Sequence, residues 1–514
     1  MLNHPLDIRA PKGFLFSRLS AFIAGCFLPL AFAPFDIWPF AIASPAILSW
    51  FWHKAIHPKH TFILGFIFGF GFFGMGVSWV YVSIHEFGNT DPPLAVFITL
   101  LFIISLSLFL AAQGYFFKRF FKGERLSSYL LGFPAIWVLF EWIRSFLFGG
   151  FPWLYLGYAG LNTPLRGYAP WLSVYGVSFA FLVSGGLLLS LLQEKMKIKK
   201  RLLLGVLILW ILPALLTHMN YTTSLQPTYT VSLVQGNVAP LDKFASEDPL
   251  QAVEKIYVRL TESNWNSDLI LWPENAIPLP LPYAEPLIAQ LNKRVATHNT
   301  TLVTGIQTII NNKDYYNSLL TIGSQSGIYH KRHLVPFGEY LPLDNYLRGL
   351  INFFDIPMSN FIEGPDTQAP IKMKNITLAP LICYEIDYPE LVRSTVRGTN
   401  AIVNLSEDGW FGKSIGPHQH LQIAQMRALE TGRYVLRATT SGITAIVTPD
   451  GALQAEAPPF EATVLNGTFK PREGETPWMI VGLWPFIILL LLAFLLPGRV
   501  TTLYAFKIRK SKRN

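Results

Sequence analysis

Three residues suited to nucleophilic catalysis each follow an apolar run that is typical of a buried strand. Glu274, Lys331 and Cys383 stand at or just beyond the end of such a run. Strand ends in α/β folds present side chains to a cleft. A carboxylate can take the proton of a thiol, and an ammonium can lower the thiol pKa or stabilise an oxyanion. The three residue types therefore indicate covalent catalysis by a cysteine.

Each of the three residues also has an ordinary structural explanation. A lone cysteine after an apolar run is commonly a buried hydrophobe, and a glutamate after a strand is commonly a solvated loop residue. Lys331 belongs to the basic cluster 330–333, which is compatible with a plain surface. The residue types alone leave a cysteine enzyme and a non-catalytic domain both open.

The composition of the 514-residue chain is that of a membrane protein. Charged residues make up 14% of the chain and hydrophobic residues 51%, with a mean hydropathy of +0.35. Soluble proteins carry about 25% charged residues. The two cysteines, Cys26 and Cys383, are too few for a disulfide framework or a four-cysteine zinc site. Cys26 lies inside an apolar run, which favours a packing role.

Eight apolar runs are long enough to cross a membrane. They cover residues 19–35, 37–53, 61–84, 92–117, 127–147, 167–193, 202–217 and 478–498. With the N-terminus in the cytoplasm, the cytoplasmic loops and tails hold twenty lysines and arginines, whereas the short loops on the other side hold only Arg166. This asymmetry predicts eight transmembrane helices with both termini in the cytoplasm.

The segment between the seventh and eighth spans has a different composition. It carries 19 basic and 25 acidic residues between positions 220 and 475, so the net positive charge of +9 comes from the membrane part. The basicity is a topology signal and does not indicate nucleic-acid binding. We therefore predict a membrane domain over 1–219, an extracytoplasmic domain over 220–475, and a last helix with a basic tail over 476–514.

Short apolar strands alternate with helical patterns in this extracytoplasmic segment, which indicates an α/β layered domain. The predicted strands are 229–234, 269–272, 301–306, 376–382, 401–404 and 443–447, and the predicted helices are 250–263, 283–298, 390–397 and 418–432.

Several motifs resemble those of the nitrilase superfamily, the carbon–nitrogen hydrolases. They are Leu-Trp-Pro-Glu-Asn at 271–275, Tyr-His-Lys-Arg-His-Leu-Val-Pro-Phe-Gly-Glu-Tyr at 329–340 and Ile-Cys-Tyr-Glu at 382–385. The segments 404–412 and 416–420 resemble those of one membrane branch, the bacterial apolipoprotein N-acyltransferases. Because the motifs occur in order within a matching membrane plan, the resemblance covers essentially the whole chain.

The resemblance implies a nitrilase-like αββα sandwich with a Glu-Lys-Cys triad. Cys383 would be the nucleophile, Glu274 the general base and Lys331 the electrostatic stabiliser. The supporting pocket residues that it implies are Glu339, Tyr384, Glu385 and Phe244. Phe244 stands by approximate alignment where the family often has a tryptophan, so the indole donor is lost there.

The implied reaction is an acyl transfer in the inner membrane of a Gram-negative bacterium. A fatty acyl chain would pass from a phospholipid, typically sn-1 of phosphatidylethanolamine, to the α-amine of a diacylglyceryl-cysteine lipoprotein by ping-pong kinetics. We expect no cofactor, no metal and a monomer in the lipid bilayer. A membrane-tethered amidase or nitrilase-type hydrolase and a non-catalytic scaffold are the alternatives, and the complete residue set argues against the scaffold.

Three further features give hypotheses of their own. His418 and His420 are two residues apart at a helix start, where they face different directions, so we expect no metal site. Residues 347–358 are a candidate apolar gate at the lipid surface, or ordinary core. Glu141 and Arg144 lie one helical turn apart within a span, where a structural pair or a contact to a phospholipid headgroup would explain them.

Overall fold

The computed structural model describes residues 11–88, 90–121, 125–240, 242, 248–310, 314–340 and 360–496. The chain divides into two compact units. The first draws its described residues from Met1–Ser78, Val96–Met219 and Val481–Asn514, and the second from Trp79–Ala95 and Asn220–Ile480. The residue Phe244 and the segment 347–358 lie outside the described residues, so the predictions made for them stay predictions.

The first unit is built from apolar helices, one overlapping each of the eight predicted spans, although the first helix begins before the predicted span 19–35 and ends at Phe27. These helices are Pro11–Phe27, Pro39–Lys54, Pro58–Gly76, Pro92–Phe120, Arg125–Arg144, Ala169–Gln193, Met196–Leu216 and Trp484–Leu495. Among the described residues, four helices have the length and hydropathy needed to cross a bilayer: Pro58–Gly76, Pro92–Phe120, Arg125–Arg144 and Pro164–Gln193.

Two of the predicted spans end differently in the structure. The helix predicted over 61–84 ends at Gly76, and the chain continues into the second unit from Trp79. The run predicted over 478–498 is broken at Gly482, whose φ of +73° is a conformation that glycine adopts without a steric penalty. Hydropathy alone did not detect either break because the residues on both sides are apolar.

The second unit contains two main β-sheets. Its strands are β1 (Thr223–Ser224), β2 (Tyr229–Gln235), β3 (Leu269–Leu271), β4 (Ile277–Pro280), β5 (Thr301–Ile310), β6 (Asp314–Ile322), β7 (Gly327–His330), β8 (Ile371–Met373), β9 (Ile376–Ile382), β10 (Ala401–Ser406), β11 (Val435–Thr439), β12 (Ala445–Val447), β13 (Leu453–Glu456), β14 (Thr463–Phe469) and β15 (Arg472–Glu473). One sheet has the order β14-β2-β3-β5-β6-β7, with β4 paired to β5, and the other has the order β13-β12-β11-β10-β9-β8. Strands β1 and β15 form a separate pair.

The two sheets face each other across a buried apolar layer. Alternate residues point inward: Val231 and Leu233 of β2 meet Val403 and Leu405 of β10 in one cluster of the core. The outer face of the first sheet is covered by the helix Leu281–His298 and by a helical stretch from Pro249 to Asn264. The outer face of the second sheet is covered by the helices Pro389–Val396 and Gly416–Thr431. The layers are those of an αββα sandwich, as predicted.

All six predicted strands and all four predicted helices have counterparts among these elements, and the bounds of β9 are those predicted. Strand β3 is parallel to β5, and β6 is antiparallel to both β5 and β7. Strands β3 and β7 therefore run in the same direction. Strands β9 and β10 are parallel to each other in the second sheet. The carboxyl ends of these strands carry the candidate catalytic residues.

The segment Trp79–Ala95 is an unpredicted part of the second unit. The Trp79 indole N–H donates to Gln419 Oε1 at 3.2 Å, and its ring meets Phe411 edge-on at 4.6 Å. The Ser83 hydroxyl donates to the Trp410 carbonyl at 2.7 Å. The segment therefore supports the turn 408–411, which lies close behind β10.

Candidate active site

Cys383 occupies a sharp turn directly after β9. Its φ of +49° lies in the left-handed region, which is uncommon for a residue with a Cβ and recurs at functional sites. The short helical turn Cys383–Asp387 begins there. The side chain is partly exposed, whereas Ile382 and Tyr384 on either side are buried. The turn thus fixes a partly buried cysteine at the end of a buried strand.

Lys331 lies at the centre of a buried charge cluster. Its Nζ is 3.2 Å from Glu274 Oε1 and 2.9 Å from both carboxylate oxygens of Glu339. All three side chains are at least nine-tenths buried. Burial disfavours the ammonium, but the two carboxylates outweigh it and raise the pKa of Lys331 above its usual value. Lys331 is therefore a fixed positive charge at neutral pH.

Asn317 holds the two carboxylates together. Its side-chain Nδ2 donates to Glu274 Oε1 and to Glu339 Oε1, each at 2.7 Å. Its backbone carbonyl accepts from the backbone N–H of Lys331 at 2.8 Å. Asn317 is fully buried in β6. The sequence reasoning missed it. The only available signal was an amide within an apolar strand, where a buried polar group requires partners.

The Cys383 thiol is in an environment that keeps it protonated at rest. Burial raises its pKa well above the usual value, the nearby Glu274 charge raises it further, and Lys331 acts in the opposite direction. A neutral thiol is a weak nucleophile, so reaction requires a base that removes its proton. Glu274 is close enough to the thiol for its charge to act on it.

Glu385 holds the catalytic turn in place. Its carboxylate accepts from the Ile382 N–H and from the Arg332 N–H, each at 2.7 Å, and from the Tyr329 hydroxyl at 3.0 Å. Burial raises the pKa of Glu385, and the backbone donors oppose that effect. The residue thus ties the end of β9 to the segment that follows β7.

Glu339 and Tyr384 have different surroundings. The second oxygen of Glu339 accepts from the Val335 N–H at 2.8 Å, which fixes the carboxylate beside Lys331. The Tyr384 ring meets Tyr388 edge-on at 5.1 Å and lies 6.1 Å from the His333 ring. Tyr384 is therefore part of an aromatic cluster next to the nucleophile.

A second buried polar network lies behind Cys383, and sequence reasoning missed it. Asp408 Oδ2 is 2.7 Å from Arg437 Nη2, and Asp408 Oδ1 is 2.9 Å from His420 Nδ1. His420 Nε2 is in turn 3.5 Å from Asp387 Oδ1. Burial raises the pKa of Asp387 to about 7, whereas Arg437 and His420 outweigh burial and hold the pKa of Asp408 below its usual range.

No cluster of three or more histidine, cysteine, aspartate or glutamate side chains has the arrangement of a metal site in the part of the chain that the structure describes. His418 and His420 do not act together: His420 is buried in the network above, and His418 is only partly buried. The expectation of no cofactor stays a prediction.

Glu141 and Arg144 do not form an ion pair with each other within the described part of the first unit. Glu141 Oε1 accepts from the Leu156 N–H at 2.7 Å and from the Trp137 indole at 3.1 Å. The Arg144 guanidinium lies over the rings of Phe73 and Tyr155, about 5 Å from each centroid. The two opposite charges still attract each other, so the pairing that the one-turn spacing predicted is present as a longer-range interaction and not as a direct contact.

The fold and the family comparisons define the class of this protein. Residues 230–476 match the model of the carbon-nitrogen hydrolase family, so the second unit is a carbon–nitrogen hydrolase domain. Residues 24–187 match the model described as the apolipoprotein N-acyltransferase N-terminal domain. A solved carbon–nitrogen hydrolase from Helicobacter pylori G27 aligns with 15% identity and a TM-score of 0.37, covering 51% of this chain and 94% of that chain.

Curated relatives extend the match to nearly the whole chain. The apolipoprotein N-acyltransferase of Coxiella burnetii is 44% identical over 484 residues, which are 92% of this chain and 99% of that protein. The apolipoprotein N-acyltransferase of Pseudomonas syringae pv. tomato is 39% identical over 497 residues, 94% of this chain and 97% of that protein. The chain belongs to the apolipoprotein N-acyltransferase family.

Proposed function

We propose that this chain transfers a fatty acyl chain from a phospholipid to the N-terminal α-amine of a diacylglyceryl-cysteine lipoprotein. Its catalytic residues would be Cys383 as nucleophile, Glu274 as general base and Lys331 as electrostatic stabiliser. The observation that carries the proposal is the buried Lys331 ammonium, held 3.2 Å from Glu274 and 2.9 Å from Glu339 at the strand ends that also present Cys383. Membership of the family supplies the reaction type.

In the first half-reaction the sulfur attacks the ester carbonyl carbon of the phospholipid. Glu274 accepts the thiol proton as the carbon–sulfur bond forms, and the carbonyl oxygen becomes an oxyanion that Lys331 stabilises. The intermediate collapses by breaking the ester carbon–oxygen bond. Glu274 then returns the proton to the departing oxygen, which becomes the hydroxyl of the lysophospholipid. A thioester remains on Cys383. Losing one oxyanion donor raises such a barrier by about 3–4 kcal/mol.

In the second half-reaction the neutral α-amine of the lipoprotein attacks the thioester carbon. Glu274 accepts a proton from the attacking nitrogen, the carbon–sulfur bond breaks and the proton returns to the sulfur. The product is an amide, and the enzyme is ready for another phospholipid. Because both substrates use one nucleophile in turn, the kinetics are ping-pong.

Transfer to an amine requires that water is kept from the thioester. A membrane setting supports this, since both substrates carry acyl chains and reach the enzyme through the bilayer. We place eight transmembrane helices in the inner membrane, the domain 220–475 in the periplasm and both termini in the cytoplasm. The twenty basic residues on one side of the membrane part support that orientation. We expect phosphatidylethanolamine to be the donor and the enzyme to be monomeric.

Intact-mass spectrometry of the purified full-length protein tests the acyl-enzyme. After incubation with phosphatidylethanolamine micelles, we expect a gain of one fatty acyl mass that hydroxylamine removes. Cys383→Ala should gain nothing, whereas Cys26→Ala, the matched control at the other cysteine, should gain the same mass as the native protein. A diacylglyceryl lipopeptide should then clear the label faster than buffer does.

The absence of an adduct in folded, lipid-supplied protein would contradict the proposal. Small amides would then be the next substrates to test, because a carbon–nitrogen hydrolase domain with the same residues could act as an amidase. An adduct that water clears as fast as the lipopeptide does would also argue for hydrolysis over transfer.

A further inference from the structure

Ser406 lies beside the nucleophile in the neighbouring strand. In the register of the parallel strands β9 and β10, Leu405 is opposite Ile382, so the next residues, Ser406 and Cys383, end their strands side by side. Ser406 is fully buried, and its hydroxyl is close enough to the Cys383 sulfur to favour the thiolate. Ser406 is thus the neighbour of Cys383 on the adjacent strand of the same sheet.

The Ser406 hydroxyl has a second partner. Its Oγ donates to Asp408 Oδ1 at 2.7 Å. A hydroxyl has a single proton to donate, so it serves either the Asp408 carboxylate or the Cys383 sulfur at any moment. The two partners compete, and the charge on the sulfur decides which of them is the better acceptor.

Asp408 does not depend on this one donor. Arg437 Nη2 and His420 Nδ1 contact its two oxygens at 2.7 and 2.9 Å, and Arg437 also donates to Asn404. All of these groups are buried. When the Ser406 proton turns away, the carboxylate therefore keeps two charged or polar partners, and the rotation leaves no buried charge unpaired.

The same network also holds the far end of the catalytic turn. His420 connects Asp408 to Asp387, which is the last residue of the turn that Cys383 begins. The contacts run from Cys383 through Ser406, Asp408 and His420 to Asp387, and then back along the turn. Both ends of the turn are thereby fixed relative to Ser406.

We propose that Ser406 is a switching hydrogen-bond donor, which serves Asp408 while Cys383 is a thiol and serves the sulfur when it becomes a thiolate. The inference rests on the proposed role of Cys383 as the nucleophile. No proton is transferred from Ser406: Glu274 takes the thiol proton, and the hydroxyl only rotates. In the second half-reaction the same donor stabilises the thiolate that the amide-forming step expels. Asp408 and His420 are positioning residues that keep the donor in place.

The charged groups that face Cys383 are Glu274, Lys331 and Asp408. Glu274 and Asp408 disfavour the thiolate, and Lys331 favours it. A neutral donor that rotates toward the sulfur stabilises the thiolate. It adds no fixed charge, so it has little effect on the thiol before the proton has left. This is the form of assistance expected where stabilisation is needed only after the proton has left.

Alkylation of Cys383 by iodoacetamide in the full-length protein tests the inference without any assumption about the substrate. Below the thiol pKa the rate is proportional to the thiolate fraction, and peptide-resolved mass spectrometry separates Cys383 from Cys26. Ser406→Ala should slow alkylation about tenfold or more between pH 7 and 9, the effect of losing one hydrogen bond to a charged group. Ser232→Ala, which removes a buried hydroxyl from β2 away from the site, should leave the rate unchanged.

The pair Ser406→Thr and Ser406→Val isolates the hydroxyl, because the two side chains have the same shape. We expect Ser406→Thr to react at least tenfold faster than Ser406→Val, and this comparison decides the matter if Ser406→Ala does not fold. Equal rates for the two variants, or a native rate for folded Ser406→Ala, would overturn the inference. Failure of the native protein to take an acyl group from phosphatidylethanolamine would instead refute the proposed function and leave the alkylation result standing.

Discussion

At the scale of single residues, Asn317 controls the electrostatics of the site although it carries no charge. Two carboxylates, Glu274 and Glu339, share one ammonium, and both also accept from the Asn317 amide. Without that amide, Lys331 alone would offset the repulsion between the two negative charges. The neutral amide thus gives both carboxylates a hydrogen-bond donor in a buried place, where unpaired polar groups are costly.

Asn317→Asp should inactivate the enzyme with almost no change of shape. The new carboxylate would replace a donor with a third negative charge 2.7 Å from Glu274 and Glu339. One of the three would take up a proton, and the base would lose its fixed partner. We expect the rate of acyl-enzyme formation, measured by intact mass in a single turnover, to fall at least 100-fold, and the free energy of unfolding to fall by about 3 kcal/mol.

Asn466→Asp is the matched control, because Asn466 lies exposed in β14 and its side-chain oxygen only accepts from Ser232. It should retain both activity and stability. If Asn317→Asp were as active as the native protein, the Asn317 amide would not be needed to position Glu274, and the contact with Lys331 would be enough.

The charged and nucleophilic residues of the site could be proposed from the sequence, whereas its neutral polar residues could not. Glu274, Lys331 and Cys383 were singled out because a carboxylate, an ammonium and a thiol at strand ends are uncommon together, and their roles remain a proposal. Asn317 and Ser406 are of types that occur throughout any chain. Their importance comes from contacts across strands, which depend on register and cannot be read from residue type.

At the scale of elements, the turn Cys383–Asp387 depends on Glu385 for its shape. The two oxygens of Glu385 each accept from a backbone N–H, one from Ile382 and one from Arg332. A carboxylate satisfies both donors, whereas an amide has only one acceptor oxygen. The turn that presents the nucleophile is therefore specified by a group that does not itself touch the sulfur.

Glu385→Gln should displace the nucleophile, because the new side-chain NH₂ group would face the backbone N–H of either Ile382 or Arg332 and cannot accept its hydrogen bond. We expect a loss of about 1–3 kcal/mol in the free energy of unfolding, the cost of a buried donor without an acceptor. The rate of acyl-enzyme formation should fall about 10- to 100-fold. Thermal unfolding in detergent and single-turnover intact mass measure the two effects on the same sample.

Glu390→Gln, in the helix that follows the turn, supplies the comparison. Glu390 is exposed and pairs with Arg393 at the surface, where an ion pair contributes little. Its substitution should change neither the unfolding midpoint nor the acylation rate. A Glu385→Gln protein that behaved in the same way would show that the turn does not need its carboxylate.

Elements with a long apolar pattern were predicted well, and short or interrupted ones were not. β9 and β10 are mostly apolar, as is typical of strands that are buried on both faces. β13 is a largely exposed edge strand and β14 an edge strand that is mostly only partly buried, so their apolar signal is weak, and they were missed. The break at Gly482 was missed because its signal is a backbone angle and not a change of hydropathy.

At the scale of the whole molecule, each of the two units is built from segments that are not consecutive in the sequence. Trp79–Ala95 stands between two apolar helices of the first unit, yet it belongs to the second unit together with 220–480. Its aromatic contacts to Trp410 and Phe411 account for that membership. Composition could not reveal it, because the segment is short and its tryptophan and phenylalanine residues are equally typical of a membrane interface.

The orientation of the chain in the membrane gives the last prediction, and it follows from charge. The proposed cytoplasmic side holds twenty basic residues, which resist translocation, whereas the domain 220–475 carries a net negative charge. In a background with Cys26→Ala and Cys383→Ala, single cysteines at Lys470 and Lys197 form a matched pair, because both lysines are exposed and the proposed topology puts them on opposite sides of the membrane. A membrane-impermeant maleimide should label Lys470→Cys in intact spheroplasts and Lys197→Cys only after lysis. Labelling of Lys197→Cys in intact spheroplasts, with Lys470→Cys protected, would place the catalytic domain in the cytoplasm, away from the lipoproteins it is proposed to acylate.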